Sequence, residues 1–331
     1  MTGAPERLWA GLDIGGSKVH AVAVDDAGTV RAEHRAESRG GTAGVLGTAG
    51  AALGALARDA GRPAGAFAAV GIGVPGLVDT DAGSVSHAVN LGLDGTPLRL
   101  RDRLAELPGL TGVPVVVEND VNAAALGAAH LLGLDVPDLA YLGIGTGLAA
   151  GLVLGGRLRR GLRGSAGEVG HVPVDPTGPR CSCGQRGCLE VLVSGAAIAR
   201  AWPGTPGVPA AEALFAAADG GDDRARAVRD RIVGHVAAAV RLVVLTVDVE
   251  LVVLGGGVAE LGERLAEPVR EHLERSAAVS PYLRGLDLPG RVVTVPPGPP
   301  VAAFGAALAG RAGAGHSPPA LSALVGRPWR S

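Results

Sequence analysis

All three cysteines of the chain fall within eight consecutive positions, Cys181-x-Cys183-x4-Cys188, and His171 stands ten residues before the first of them. Three thiols and one imidazole make a complete tetrahedral set for zinc, and Gly184 and Gly187 let the short spacings wrap a small ion with little backbone strain. An iron–sulfur cluster held by thiolates alone would need a fourth cysteine. The same stretch carries Glu168, in Glu168-Val169-Gly170-His171, and Glu190, two residues past Cys188. A knuckle closed on a metal would draw these two carboxylates together.

A second chemistry is written in glycine. In Asp13-Ile14-Gly15-Gly16-Ser17-Lys18 the glycines let backbone amides approach phosphate oxygens, Ser17 adds a hydroxyl donor, Lys18 adds charge, and Asp13 can face a magnesium ion. Gly145-Thr146-Gly147 offers a matching grip. Either motif alone reads equally well as a hairpin turn; their matched placement after strands favours phosphate. The spacing of a P-loop is absent, whereas Gly71-Ile72-Gly73-Val74-Pro75-Gly76 fits the dinucleotide fingerprint by letter and would suit a zinc-containing dehydrogenase. Pro75 and the turn-like Asp79-Thr80-Asp81-Ala82-Gly83 oppose the helix such a fingerprint must open, so the segment reads as a strand end lining a pocket. Asn119-Asp120 stands where a buried strand runs into a helix. There Asp120 could accept the proton of an attacking hydroxyl, or cap the helix that begins at Val121, or do both.

Residues 8–14, 19–24 and 30–35 read as a three-stranded meander, followed by a helix over 42–58 and buried strands over 69–74 and 113–117. A helix over 121–132 follows. Beyond Pro137 the opening pattern recurs, with strands over 139–144 and 149–154 hinged on Gly145-Thr146-Gly147. A helix over 224–245, a strand over 250–254, the triplet Gly255-Gly256-Gly257 and a last helix over 302–311 complete the chain. Two α/β halves, each opening on a glycine-hinged hairpin, suggest a nucleotide held in a cleft between them.

With 331 residues the chain can bury a large core and fill two domains. An odd count of three cysteines argues against a disulfide framework and for a reducing compartment. The amino terminus enters a strand without the apolar core of a signal peptide, and the apolar run 242–258 is broken by Asp248 and Glu250, short of the roughly 20 residues of a membrane span. A net charge of −2 with interspersed signs gives no basic stripe for nucleic acid. A soluble cytoplasmic protein with neither membrane nor nucleic-acid partner is expected.

Taken together, the Asp13–Lys18 loop, Gly73-Val74-Pro75-Gly76-x-Val78-Asp79, Glu118-Asn119-Asp120-x-Asn122-Ala123-Ala124, Gly145-Thr146-Gly147, Glu168-x-Gly170-His171, the cysteine knuckle and Gly255-Gly256-Gly257 resemble the ROK family of repressors and sugar kinases along nearly the whole chain. The resemblance implies an actin-like (RNase H-like) sugar kinase fold, with an N-terminal α/β domain over 1–120 and 302–331 and a C-terminal α/β domain over 121–301 that carries the zinc loop 168–190. It implies phosphorylation of a hexose 6-hydroxyl by ATP with Mg2+, glucose first, with fructose, mannose, N-acetylmannosamine and N-acetylglucosamine as alternative sugars, polyphosphate as an alternative donor and a non-catalytic sugar sensor as an alternative role. Asp120 is then the catalytic base. Gly76, Asn90, Asn119, Asp120, Glu168, His171 and Glu190 are sugar contacts, with Asp13, Gly15, Gly16, Ser17, Lys18, Gly145, Thr146, Gly147, Gly256 and Gly257 around ATP and Mg2+. His171, Cys181, Cys183 and Cys188 would hold a structural Zn2+, and a homo-oligomer, dimer or tetramer, is expected. Two departures stand out: Ala149 and Ala150 replace further glycines of the second loop, and no tryptophan follows Asn90 as in many glucokinase-like members. Only twelve residues precede Asp13, so the helix-turn-helix of repressor members is not expected.

Overall fold

The computed structural model describes residues 6–93, 95–107, 109–133, 138–204, 207–295 and 298–317. It divides into two compact units, one of Met1–Asp135, Arg160–Ser165 and Pro296–Ser331, the other of Val136–Arg159 and Ala166–Val295.

In the first unit β1 (Leu8–Ile14), β2 (Lys18–Asp25) and β3 (Val30–Glu37) form the expected meander. Helix α1 (Gly41–Asp59) follows, then β4 (Phe67–Val74), the short hairpin β5 (Leu77–Asp79) and β6 (Ser84–Ser86), α2 (Leu100–Ala105), β7 (Val115–Asn119) and α3 (Asp120–Leu131). The sheet order is β3-β2-β1-β4-β7, antiparallel through the meander and parallel through β1, β4 and β7. Alternation sorts β1 between two layers. Leu8, Ala10, Leu12 and Ile14 join the core built with Val45, Leu53 and Leu56 of α1, while Trp9 joins Ala303 and Phe304 of the C-terminal helix Val301–Gly313. Edge strand β3 alternates exposed with half-buried residues, as a one-sided strand does.

Glycine sets how closely that last helix docks. A Cβ on Gly11 of β1 would overlap the Ala303 carbonyl, one on Gly71 of β4 the Ala306 carbonyl, and one on Gly305 the Ala123 carbonyl of α3. The Gly71 fingerprint is therefore a packing device. The chain after β4 forms the β5–β6 hairpin, not the helix that dinucleotide binding needs.

The second unit repeats the plan. Strands β8 (Leu139–Ile144), β9 (Leu148–Leu154) and β10 (Arg157–Leu158) pair antiparallel, and β11 (Leu251–Gly255) and β12 (Val292–Thr294) extend the sheet in parallel, in the order β10-β9-β8-β11-β12. Between them come α4 (Glu190–Val193), α5 (Gly195–Ala201), α6 (Ala210–Asp219), α7 (Asp223–Val247), α8 (Glu263–Ala277) and α9 (Pro281–Gly285). Helix α7 starts where the Asp222 side chain accepts the Ala225 N–H at 2.8 Å and ends at Asp248 in the left-handed region. The echo expected from the two glycine-hinged hairpins is thus a repeat of strand order and sense.

Several elements differ from the sequence expectation. Helix α8 was hidden by Pro268 within it and by its charged outer face, yet Leu265, Ala266, Val269 and Leu273 bury one stripe. The expected division after Asp120 also differs: α3 lies in the first unit, because its backbone packs on the C-terminal helix through Gly127 and Gly305. Among the described residues no helix is long and apolar enough to cross a membrane.

Candidate active site and metal centre

In the first unit Asp13 is the penultimate residue of β1, in register with His20 of β2 and Gly73 of β4. Burial, with the charge of nearby Asp120 adding to it, pushes the Asp13 carboxyl up to about 7. Asp120 follows β7, which β4 separates from β1 in the sheet, and the two carboxylates still feel each other's charge, an arrangement that suits a cation or a shared proton. Asp120 itself is the first residue of α3. The cap is Asn119, whose Oδ1 accepts the N–H groups of Val121 at 2.9 Å and Asn122 at 3.0 Å. Asn119 Nδ2 donates to the Gly76 carbonyl at 3.2 Å. Asp120 Oδ1 also accepts the Val121 N–H at 2.9 Å, so the two neighbours share the first donor of α3 while Asn119 takes the second, and Asn119 spends much of its amide within the fold.

The first glycine turn closes with Gly15 N–H donating to the Lys18 carbonyl at 2.9 Å, leaving Gly16, Ser17 and Lys18 exposed. Gly16 has a second reason to lack a side chain, since a Cβ there would lie 2.8 Å from the Asn90 carbonyl. Asn90 is thereby brought against the turn, and it is exposed. Gly76 adopts a φ of 99° and faces the Ser86 carbonyl, a conformation and a gap that suit only glycine.

In the second unit the site is built on the β8–β9 hairpin. Gly145 N–H donates to Gly147 O at 3.0 Å, and Thr146 is exposed. A Cβ on Gly145 would meet nothing within 4 Å, so that face of the turn is open, and its φ is not in the left-handed region. Gly147 instead lies under the Glu190 carboxylate, and Glu190 Oε2 accepts the Leu148 N–H at 3.2 Å. The Glu168-Val169-Gly170-His171 turn presses on the same strand: side chains on Gly167 and Gly170 would overlap the Ala150 and Leu148 carbonyls, and Ala150 N–H donates to Gly167 O at 2.7 Å. Burial raises the Glu168 carboxyl above the usual range, against the pull of His171 and with a further push from Glu190. Of the two alanines that depart from the family pattern, Ala150 is buried in the core and Ala149 is half-buried. Gly256, at a φ of 81°, donates its N–H to the Tyr141 hydroxyl at 3.0 Å, and Gly257 beside it is open.

His171, Cys181, Cys183 and Cys188 bring their ligand atoms within 4.8 Å of one another. Cys183 Sγ lies 3.7 Å from Cys188 Sγ, and Cys181 Sγ lies 3.6 Å from His171 Nδ1. Tetrahedral zinc, with Zn–S about 2.3 Å and Zn–N about 2.0 Å, needs ligand edges of roughly 3.5–3.8 Å, so the donor set fits the ion. His171 Nδ1 faces the sulfurs, while Nε2 lies 3.8 Å from Glu168 Oε2. Cys181 and Cys188 are buried and Cys183 is exposed.

The model of the ROK family matches residues 9–287. The chain belongs to the ROK family. It is 33% identical over 291 residues to a glucokinase of Halalkalibacterium halodurans, covering 82% of this chain and 87% of that one. An N-acetylmannosamine kinase of Citrobacter koseri is 39% identical over 173 residues, 52% of this chain and 59% of its own length. Among solved structures, a ROK glucokinase of Streptomyces griseus in complex with glucose and AMPPNP superposes with a TM-score of 0.77 at 30% identity, covering 92% of this chain and 99% of that one. The actin-like sugar kinase fold expected from the motifs is thus the fold of the chain.

Sequence reasoning missed Glu118 and Arg160. Glu118 is 1% exposed and accepts Arg160 Nε at 2.8 Å and Nη2 at 2.5 Å. Its position next to Asn119-Asp120 was a signal, but its partner lies 42 residues away.

The Asp13 environment gives a prediction. A carboxyl whose folded value lies above its unfolded one keeps an extra proton in the native state between about pH 4 and 7, so stability falls as pH rises through that window. The full penalty is present above about pH 7. Asp13→Asn is expected to melt roughly 4–8 °C higher than wild type at pH 8 without divalent cations, for a relief on the order of 2 kcal/mol, with the difference vanishing near pH 4 while turnover is lost. Melting curves at the two pH values decide it, and a pH-independent difference refutes the assignment.

Proposed function

We propose that this chain transfers the γ-phosphoryl group of ATP to the 6-hydroxyl of a hexose, with glucose as the preferred sugar. The observation that carries the reading is the placement of Asp120: at the first turn of α3, within electrostatic reach of Asp13, with Asn119 holding the N-cap position. A carboxylate so placed can take the proton of the sugar hydroxyl as it attacks. Asp13 is assigned to Mg2+, which when bound neutralises phosphate charge. The exposed Gly15–Lys18 turn, the open face of Gly145, Thr146, and Gly256 and Gly257 are assigned to the phosphates. Gly76, Asn90 and Asn119 in the first unit, and Glu168, His171 and Glu190 in the second, are assigned to the sugar hydroxyls. Zinc, with four protein ligands and no open position, would brace the turn that carries Glu168 and His171. Support for glucose comes from the glucokinase relatives; the N-acetylmannosamine kinase relative keeps an N-acetylated sugar as the second reading.

A coupled ADP-release assay over a hexose panel tests the sugar, and turnover of none of them refutes the reading. Light scattering on the same preparation tests the expected dimer or tetramer. The division of labour is tested by two variants. Gly145→Val places a branched side chain on the open face of the turn and should raise KM for ATP far more than KM for the hexose. Glu168→Gln removes a charged acceptor, so hexose affinity should fall by roughly 1.5–3 kcal/mol while KM for ATP holds. Gly147 is unsuitable for this purpose, because its space is filled by Glu190. A folded Gly145→Val protein that lost sugar affinity and kept ATP affinity would overturn the assignment.

A further inference from the structure

We propose that Arg160 and Glu118 form a positioning pair that holds Asp120 in its working orientation, and this rests on the reading of Asp120 as the base. Glu118 is the penultimate residue of β7, just before α3, and lies fully inside the fold. Its two oxygens have divided tasks. Oε1 accepts the Asn119 N–H at 3.0 Å and Asn122 Nδ2 at 3.2 Å, and so clasps the strand-to-helix junction on both sides of Asp120. Oε2 accepts both guanidinium N–H groups of Arg160. Burying an ionised carboxylate costs dearly unless it is paired and its lone pairs are filled, and here all of its hydrogen bonds run to the junction or to one arginine.

Arg160 comes from outside the local element. It opens the segment Arg160–Ser165, which belongs to the first unit although the residues before and after it belong to the second. The segment is fixed again at Gly164, whose φ of 72° and close approach to the Val78 carbonyl of β5 exclude a side chain. Two anchors four residues apart hold the segment in place. Arg160 is 40% exposed by its side chain, so it can return to water when its partner is altered, whereas Glu118 cannot. The clasp is therefore a charge-assisted brace on the turn that carries Asp120, and it touches the reaction only through that residue.

The test is a double-mutant cycle with turnover and both Michaelis constants as readouts. Arg160→Met is expected to lower kcat by roughly 10- to 100-fold, the cost of misplacing a reacting group by about an ångström, while both KM values stay within about threefold. Arg160→Lys, which supplies one donor in place of two, should fall between. In an Asp120→Asn background Arg160→Met should cost less than about twofold more, because a residue acting through Asp120 has nothing left to position. Gly164→Ala, which lifts the second anchor, should reproduce the kcat loss more weakly. Should Arg160→Met fail to fold with its charge partner stranded, Glu118→Gln carries the same test, since it leaves no buried unpaired charge and the exposed guanidinium can be hydrated. Equal losses in the two backgrounds, or a loss confined to KM, overturn the proposal. An Asp120→Asn enzyme that stays active overturns instead the base assignment on which the proposal rests.

Discussion

Asp120→Asn is expected to lower kcat by about 10²–10⁴-fold while the protein folds as before and the hexose KM moves little. The amide keeps the shape of the carboxylate but cannot take the proton of the attacking hydroxyl. Folding should be spared for a reason visible in the structure: the Val121 N–H that Asp120 Oδ1 accepts is also accepted by Asn119 Oδ1, which takes the Asn122 N–H as well, and the amide oxygen of an asparagine at position 120 can keep the same bond. A charge is also removed from beside Asp13, whose carboxyl should then ionise at lower pH. The cap itself is separable, since Asn119→Ala should cost about 1 kcal/mol of stability. Steady-state kinetics with a melting curve for each variant checks both. A protein that retained more than about half of its turnover with Asn at position 120 would show that the base lies elsewhere.

Zinc content is expected to be about one per chain, and Cys183→Ser should lower both metal content and hexose affinity. Cys183 is the exposed member of the set, so its loss leaves the buried pair Cys181 and Cys188 in place and takes away one vertex of the tetrahedron. Outer partners of a metal site are worth 10–100-fold in metal affinity, and a ligand should be worth at least that. The sugar effect follows from connectivity: His171 turns Nδ1 toward Cys181 and Nε2 toward Glu168, so loss of an ion held there would free the turn that carries both. KM for ATP should change less, because the Gly145–Gly147 turn is closed by its own hydrogen bond. Elemental analysis and calorimetric sugar titration decide the matter, and fully active protein without zinc would refute the assignment.

The motifs of this chain were legible because they are local. Three cysteines in eight positions, a glycine turn after an apolar strand, and an Asn-Asp pair at a strand end announce themselves through short spacings whose backbone geometry is nearly fixed by residue type. The repeat of the opening hairpin at residues 139–154 was legible for the same reason. Packing decided the rest. That Gly71 serves helix docking, that Gly16 makes way for Asn90, and that Ala150 points into the core all depend on atoms tens to hundreds of residues away in sequence. So does the pairing of Glu118 with Arg160. An isolated carboxylate in a sequence carries no sign of burial; only the folded chain shows that its desolvation must be offset, and by which distant cation.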